Sequence, residues 1–301
     1  MPPEPELIEA IATDLGVDPS FVEKDWYAIR LVATIVNVRQ DNLALVFSGG
    51  TSLSKGYGLI RRFSEDLDFK VGLPEDGITR STRRNYRRAI VEAIRADGDW
   101  TLEDRDVLSA NESSFFRCQI AYPTHFAVAA ALRPRLQLEV TFASPALAPE
   151  ERWLRSFIAE VREERPEVPR INCVAPAETA ADKISALTWR VLDQGTRNDH
   201  TLVRHVHDLA ALAPLAMVHE EFPELLHQRL GDDAARGAVK PDLDALTPVE
   251  RLAAALDALA GQEHAANYEG FVGAMCYGTE NETPAYQDGL DAIRRLGQRL
   301  E

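Results

Sequence analysis

Two aspartates, Asp66 and Asp68, are the residues whose type and spacing most directly suggest chemistry. If the intervening Leu67 lies in a β-strand, both carboxylates emerge on one face of the sheet while Leu67 enters the core. Mg²⁺ prefers such hard oxygen ligands and completes its octahedral shell with water and substrate phosphate oxygens. An isolated pair of this kind is common on protein surfaces, but together with the glycine turn upstream it predicts a metal site that handles a triphosphate.

A glycine turn precedes the aspartates. The apolar run 43–47 ends at Ser48, Gly49 and Gly50, and the following pattern predicts a helix that begins near Thr51. Without side chains, Gly49 and Gly50 let the backbone approach a phosphate, and the free N–H groups of a first helical turn favour an anion. Thr51 adds a hydroxyl donor. A glycine pair before a helix is often a plain turn, but beside the aspartates it predicts a phosphate cradle.

Two further residues extend the predicted site. Glu139 lies in an alternating run, 136–142, and is expected beside the aspartates as a third carboxylate that holds a second metal or activates the attacking hydroxyl. The alternative is a polar residue on an exposed edge strand. Lys183, near the start of an amphipathic helix, is expected to neutralise phosphate charge during transfer, unless it is an ion-pair partner on an exposed helix.

The composition limits the classes of protein that the chain represents. With 301 residues, 45% of them hydrophobic, two modest domains are expected. A formal net charge of −15 repels polyanions over most of the surface. The three cysteines lie far apart without ligand spacing, and no stretch approaches the roughly 20 apolar residues of a membrane span. We expect a cytoplasmic protein with no zinc site, disulfide framework or membrane anchor.

The remaining patterns predict the elements that hold these residues. A helix is expected over 19–38, and strands over 43–47, 67–71, 115–121 and 136–142. Beyond Pro145 the patterns around 149–162, 178–192, 201–212 and 246–260 are helical in period. Three prolines, Pro166, Pro169 and Pro176, separate the two parts. The sequence therefore predicts a sheet-containing domain over residues 1–170 and a helical domain over 171–301.

A cluster of arginines lies between Arg80 and Arg95, with the single acid Glu92 among them. Any nucleic acid would have to bind such a local basic patch, because the rest of the chain is strongly acidic. The alternative is a solvated helix face, which the same composition fits equally well.

In combination, the motifs resemble a known family. SGGTSLSK is followed by RFSEDLDF, LQLEVTF, ETAADKISAL and LVRHVHDLAAL, over roughly residues 20–215. In this order they are similar to the AbiEii-like nucleotidyltransferases, toxins of abortive-infection and toxin–antitoxin systems that include the mycobacterial MenT group. The resemblance implies an α+β fold, with a nucleotidyltransferase core of mixed sheet and flanking helices, and a C-terminal helical domain.

The resemblance also implies roles for individual residues. It implies that Asp66, Asp68 and Glu139 bind Mg²⁺ or Mn²⁺, and that Lys183 and Asp208 complete the catalytic set. The implied nucleotide contacts come from Ser48, Gly49, Gly50, Thr51, Lys55, Ser64 and Lys183. Some members carry a second acid three residues after the one matching Asp208, where this chain has Ala211. A role that needs both acids is therefore in doubt.

The function implied by the resemblance is transfer of a nucleotide from an NTP to an acceptor, with pyrophosphate released. For some members the acceptor is the 3′ end of tRNA, and we expect the same acceptor here, so that transfer blocks translation and growth. A cognate antitoxin on a separate chain is expected as a partner. One alternative keeps the core and places the nucleotide or phosphate on a protein side chain, which the net charge of −15 mildly favours. A second alternative is a non-catalytic binding module, against which the intact Asp66, Asp68 and Lys183 argue.

Overall fold

The computed structural model describes residues 2–40, 43–235, 246–279 and 282–300. The chain divides into two compact units. The first comprises Met1–Gly58 and Phe63–Val174, and the second comprises Leu59–Arg62 and Ala175–Glu301. The short segment Leu59–Arg62 thus belongs with the C-terminal part of the chain, although residues of the first unit flank it on both sides in sequence. Within the described ranges, no helix has the length and apolar content needed to cross a membrane.

A seven-stranded mixed sheet forms the centre of the first unit. Its strands are β1 (Leu45–Ser48), β2 (Asp66–Val71), β3 (Val107–Ala110), β4 (Phe115–Ile120), β5 (Leu136–Thr141), β6 (Glu150–Leu154) and β7 (Val168–Cys173), in the spatial order β3-β4-β5-β2-β1-β7-β6. β2 pairs parallel with β5 and antiparallel with β1, which in turn pairs parallel with β7. The predicted mixed sheet with flanking helices is confirmed, and β1, β2, β4 and β5 correspond to the four predicted strands.

The helices of this unit are α1 (Pro5–Leu15), α2 (Pro19–Ile35), α3 (Gly49–Thr51), α4 (Arg80–Asp97) and α5 (Phe157–Val161). The side chains of Asp18 and Thr79 cap α2 and α4 by accepting hydrogen bonds from backbone N–H groups of the first turn, which would otherwise lack a partner. Tyr86, Ile90 and Ile94 on the apolar side of α4 belong to the same core cluster as the buried side chains of β2 and β5. One face of the sheet is therefore covered, and the polar residues of β2 and β5 lie on the other.

Two sequence predictions in this unit are wrong. The region 149–162 is helical in its sequence pattern, but Glu150–Leu154 is strand β6 and only Phe157–Val161 is α-helix. β6 is an edge strand, and its pairing with β7 outweighs the helical propensity of Glu, Arg and Leu. The helix expected near Thr51 is only α3 followed by a π turn, Ser52–Gly56, and it ends before Gly58, whose φ is +65°.

The second unit is helical throughout its described part. Its helices are α6 (Pro176–Leu192), α7 (Val203–Val218), α8 (Phe222–Ala235), α9 (Pro248–Leu259), α10 (Gln262–Met275) and α11 (Tyr286–Gly297). Those predicted around 178–192, 201–212 and 246–260 are confirmed. α11 lies close against α7 at Gly289, where an added Cβ would stand 2.4 Å from Cγ1 of Val206. Only glycine permits this approach, which fixes the helix that carries Asp208.

Candidate active site

Asp66 and Asp68 lie on the polar face of β2. Along this strand Leu67 and Phe69 are buried in the core, whereas Asp66 and Asp68 are only partly buried. Alternation with a period of two residues directs both carboxylates to the same side of the sheet. The predicted placement of the pair on one face is confirmed, and it puts two hard oxygen ligands side by side.

Glu139 faces the aspartates from the neighbouring strand. The parallel register of β2 and β5 sets Asp68 opposite Glu139 and Asp66 opposite Gln137, and residues paired in this way share a face. Gln137 Nε2 donates a hydrogen bond to Glu139 Oε1 at 2.9 Å, which orients the carboxylate. β5 lies between β2 and β4, so the edge-strand alternative for Glu139 is excluded. Three carboxylates therefore occupy adjacent positions of one sheet face.

The glycine turn lies directly against this carboxylate row. Ser48, the last residue of β1, is paired with Asp68. The next residue, Gly49, has a φ of +74°, and an added Cβ would stand 2.0 Å from Asp68 Oδ2. Both the left-handed conformation and the space require glycine. The predicted phosphate cradle and the predicted metal ligands are consequently neighbours within one unit.

Thr51 has a different role from the one expected. Its hydroxyl, on a residue that is only 3% exposed, donates to the carbonyl oxygens of Ser64 at 3.0 Å and Asp66 at 2.7 Å. These hydrogen bonds connect the turn to the start of β2. They also engage the hydroxyl hydrogen that Thr51 would need in order to donate to a phosphate. In this structure Thr51 therefore positions the turn, as Ser64 does through its carbonyl. Because α3 spans only Gly49–Thr51, anion binding there depends on backbone N–H groups rather than on a long helix dipole.

Lys55 also differs from its predicted role in nucleotide binding. Its ammonium group lies 2.9 Å from Asp25 Oδ1 and 3.4 Å from the centroid of the Phe157 ring, and its side chain is 5% exposed. Burial raises the pKa of Asp25 to about 6, although the charge of Lys55 opposes this shift. The buried pair joins α2 to the segment after the glycine turn. The structure therefore gives Lys55 a place in the interior of the unit instead of at a phosphate.

Sequence reasoning missed Arg133, which contacts the predicted metal ligands. Its Nη1 donates to Asp66 Oδ1, and its Nε lies 3.6 Å from Glu65 Oε1. The signal in the sequence is an arginine shortly before the strand that carries Glu139, in the run Leu132-Arg-Pro-Arg-Leu136. Without the strand register, nothing distinguishes it from the other surface arginines.

In the second unit, Lys183 and Asp208 form a buried cluster with Arg62. Arg62 contacts Asp208 with two hydrogen bonds, Nε to Oδ1 and Nη2 to Oδ2, both at 2.7 Å, and Lys183 Nζ lies 2.8 Å from Asp208 Oδ2. Asp208 is fully buried and Lys183 is 8% exposed. The alternative for Lys183, an ion-pair partner on an exposed helix, is therefore excluded. Sequence reasoning also missed Arg62, although it stands at the start of the RFSEDLDF motif.

Burial and contacts within the cluster shift the pKa values of Asp208 and Lys183. Burial alone would raise the pKa of Asp208, but the charges of Arg62 and Lys183 outweigh it and hold that pKa well below its usual range. For Lys183, burial lowers the pKa more than Asp208 raises it. Two cations, Arg62 and Lys183, thus contact one buried carboxylate.

The arginines of α4 line a groove on the opposite face of the sheet. The groove, of about 600 Å³, lies between α4 and β3 and is lined by Arg84, Arg87, Arg88 and Arg95. Arg95 pairs with Asp104 at 2.7 Å, whereas Arg88 lies 3.8 Å from Glu92, at the limit of an ion pair. On the carboxylate face, Arg117 of β4 is paired with Glu139, between the carboxylates and the edge strand β3. Positive charge thus lies on both faces near β3.

The donor chemistry of the carboxylate row fits a divalent cation, because Asp66, Asp68 and Glu139 supply hard oxygen atoms from adjacent strands. Among the residues that the structure describes, however, no three His, Cys, Asp or Glu side chains converge closely enough to hold an ion. Asp66 is engaged by Arg133, and Glu139 by Gln137. A metal ion at this row would therefore compete with Arg133 for the carboxylate of Asp66.

A mixed sheet that sets a glycine turn against a row of carboxylates defines a nucleotidyltransferase-type protein. The model of one family, described as nucleotidyl transferase AbiEii toxin of a type IV toxin–antitoxin system, matches residues 30–292. This match spans most of the chain, so the protein belongs to the AbiEii nucleotidyltransferase toxin family. The family resemblance inferred from the motifs is confirmed.

A solved structure supports the same fold. The chain is similar to MenT4, a nucleotidyltransferase toxin from Mycobacterium tuberculosis H37Rv, with a TM-score of 0.55 and 16% sequence identity. The similarity covers 97% of this chain and 88% of the other. No curated protein sequence matches the chain. At this level of identity the likeness concerns the fold and leaves the substrate to be argued from the site.

Proposed function

We propose that this toxin is a metal-dependent enzyme that transfers a nucleotide from an NTP to the 3′ end of tRNA and thereby blocks translation. The observation that carries the proposal is the row formed by Asp66, Asp68 and Glu139 with Gly49 directly against Asp68. Neighbouring carboxylates repel one another unless cations compensate their charge. A site for cations and phosphates accounts for three of them on one face of the sheet.

In the proposed reaction the 3′ hydroxyl oxygen forms a bond to the α-phosphorus, the bond to the β-phosphate oxygen breaks, and pyrophosphate leaves in line. Mg²⁺ or Mn²⁺, held by Asp66, Asp68 and Glu139, would supply charge neutralisation and polarise the α-phosphate. Glu139, oriented by Gln137, is the carboxylate assigned to accept the proton of the attacking hydroxyl. The backbone N–H groups at Gly49 and Gly50 are assigned to the phosphates.

Lys183 and Asp208 are assigned to the same reaction as the family resemblance implies. Lys183 carries the charge that would stabilise the leaving pyrophosphate, and Asp208 holds its ammonium group in one position. Arg62 binds the same carboxylate and thereby fixes Asp208. These roles rest on the family resemblance, and burial of the cluster keeps Lys183 and Asp208 in a fixed geometry.

The acceptor assignment is supported by the arginine groove of α4. RNA phosphates would bind Arg84, Arg87 and Arg88, and the strand end would pass over the edge strand β3 towards Arg117 and the carboxylate row. β5 lies two strands from β3, about 10 Å at the usual strand spacing. The groove therefore offers a docking surface on the correct edge of the sheet.

A second candidate places the nucleotide on a protein side chain, and the formal charge of −15 is the observation that favours it over RNA. One experiment separates the candidates. The protein is incubated with each α-labelled NTP, total tRNA and a cell extract, and the label is followed into RNA and into protein. Label in RNA is the expected result. Label only in protein would identify the second candidate, and label in neither would indicate a non-catalytic module. A cognate antitoxin on another chain and a cytoplasmic location are part of the same proposal.

A further inference from the structure

The loop between β4 and β5 is anchored to the rest of the first unit at one residue in particular, Arg133. Its backbone N–H donates to Glu65 Oε2 at 2.8 Å, and its carbonyl accepts from Lys24 Nζ at 2.6 Å. Lys24 and Glu65 also pair with each other at 2.6 Å. Both backbone polar groups of Arg133 are thus fixed by one buried ion pair.

The same loop is held at two more points along α2. Glu23 accepts a hydrogen bond from the backbone N–H of His125 at 2.7 Å, and Ser20 Oγ accepts one from that of Ala129 at 3.1 Å. Glu23, Lys24 and Ser20 are all buried. Burying charged groups destabilises a fold unless they are paired, and here each of these groups has a partner in the loop or beside it. These contacts hold the backbone of the loop in place, and the guanidinium group of Arg133 projects from it.

The Arg133 side chain is the exposed part of this arrangement. It is 42% exposed, whereas the Asp66 side chain that it contacts is 13% exposed. An exposed arginine held on a fixed backbone can rotate without disturbing the fold. Its planar fork of donors matches both carboxylate and phosphate, to which it binds with two parallel hydrogen bonds.

We propose that Arg133 is a partner-exchanging residue of the active site: it neutralises Asp66 in the nucleotide-free protein and binds the triphosphate once a metal ion takes Asp66. The inference rests on the function proposed above. It follows from competition for one carboxylate, since the guanidinium charge at Asp66 Oδ1 repels a metal ion that approaches the same group. Metal and nucleotide would then bind cooperatively. The metal ion displaces the guanidinium group of Arg133 from Asp66, and the displaced group becomes available to bind the triphosphate.

The proposed exchange predicts that loss of the Arg133 side chain strengthens the binding of metal ions and weakens the binding of NTP. Removing the guanidinium group takes away a cation that competes for Asp66, so the affinity for Mn²⁺ without nucleotide should rise by about fivefold, the factor expected for a partly exposed ion pair. The KM for NTP should rise by about tenfold to a hundredfold, because a charged hydrogen-bond donor to phosphate is lost. A purely structural arginine would change neither ligand in this way.

The test compares Arg133→Gln with Arg135→Gln. Arg135 is a matched control, because it lies two residues further on, is 37% exposed and pairs with Asp106 at 2.7 Å, away from the carboxylate row. Mn²⁺ binding is measured by calorimetry in the absence of nucleotide, KM is measured with each α-labelled NTP, and melting temperature is measured for both variants. We expect tighter Mn²⁺ binding and a higher KM in Arg133→Gln only.

Unchanged Mn²⁺ affinity, or an unchanged KM, in a folded Arg133→Gln protein would overturn the inference. If that variant does not fold, Arg133→Lys serves instead, with Mn²⁺ affinity near the wild-type value and a raised KM, because lysine keeps the charge but lacks the fork; a normal KM there would overturn the inference. Failure of the proposed function looks different: the wild-type protein itself would bind no Mn²⁺ and would transfer nucleotide independently of metal, or not at all.

Discussion

Replacing Gly49 with alanine tests whether the glycine turn and Asp68 act as one site. At a φ of +74°, alanine incurs a backbone cost on the order of 1–2 kcal/mol. In addition, the new Cβ would stand 2.0 Å from Asp68 Oδ2, whereas ordinary contacts begin at 3.4 Å. The carboxylate oxygen must therefore move by more than about 1 Å, and a misplacement of that size costs about 100-fold in rate.

The matched control is Gly58→Ala. Gly58 lies in the same unit with a φ of +65°, and an added Cβ there meets nothing within 4 Å. It carries the same backbone strain without the collision. Urea unfolding should show a similar loss of stability in both variants, whereas single-turnover transfer from α-labelled NTP should fall about 100-fold or more in Gly49→Ala alone. The reasoning is refuted if folded Gly49→Ala transfers nucleotide within about threefold of wild type, or if Gly58→Ala loses as much.

Three further changes probe other parts of the account. Lys183→Met should lower the transfer rate by about 10²- to 10³-fold, and unchanged kinetics would remove Lys183 from the site. For Asp25, the folded pKa of about 6 lies above the ordinary value of 3.8, so protonation favours the fold. Stability of wild type relative to Asp25→Asn should rise by about 2 kcal/mol between pH 7.5 and 4 in urea titrations, whereas a flat difference contradicts the burial argument. Arg84→Glu with Arg88→Glu should raise the KM for tRNA and flatten its salt dependence while leaving the KM for NTP unchanged; a collapse of NTP affinity would place these arginines in the nucleotide pocket.

The buried environment of Lys183 decides which substitution tests its charge. From the sequence, charge reversal to glutamate is the natural test of an electrostatic role. Because Lys183 lies 2.8 Å from the fully buried Asp208, glutamate would put two carboxylates together inside the unit and unfold it. Loss of activity in that variant would then not show whether Lys183 binds phosphate. Methionine is neutral and similarly long, so it removes the charge and keeps the packing.

The carboxylate row could be predicted because it depends on local alternation. The patterns of β2 and β5 decide which side chains share a face, and each is visible in six consecutive residues. The parallel register that sets Asp68 opposite Glu139 has no local signal. Alternation shows only that Glu139 can share the face of the aspartates, and the family resemblance adds that these residues meet. β6 was missed for the same reason, since its strand pairing is decided by β7 and not by its own residues.

Contacts between residues distant in sequence explain the remaining errors. Thr51 and Lys55 have the residue types that bind phosphates, but Thr51 is held by two carbonyl groups after the turn, and Lys55 by Asp25 and Phe157. Arg133 and Arg62 meet their carboxylates across 67 and 146 residues of sequence. No periodicity or motif spacing reports such pairs, so several arginines look equivalent in the sequence.

The measurement that tests the central claim most directly is nucleotide transfer by Asp68→Ala, with Asp99→Ala as the control. Asp99 is a carboxylate of the same unit, its side chain is 41% exposed, and it pairs with Arg30, outside both the carboxylate row and the arginine groove. Removing a partly buried carboxylate from beside two others should cost little stability, so both variants should melt near the wild-type temperature. We expect Asp68→Ala to transfer no detectable label from any α-labelled NTP and to lose growth inhibition, while Asp99→Ala keeps both. A folded Asp68→Ala protein with near-normal transfer would contradict the assignment of this sheet face as the metal and nucleotide site.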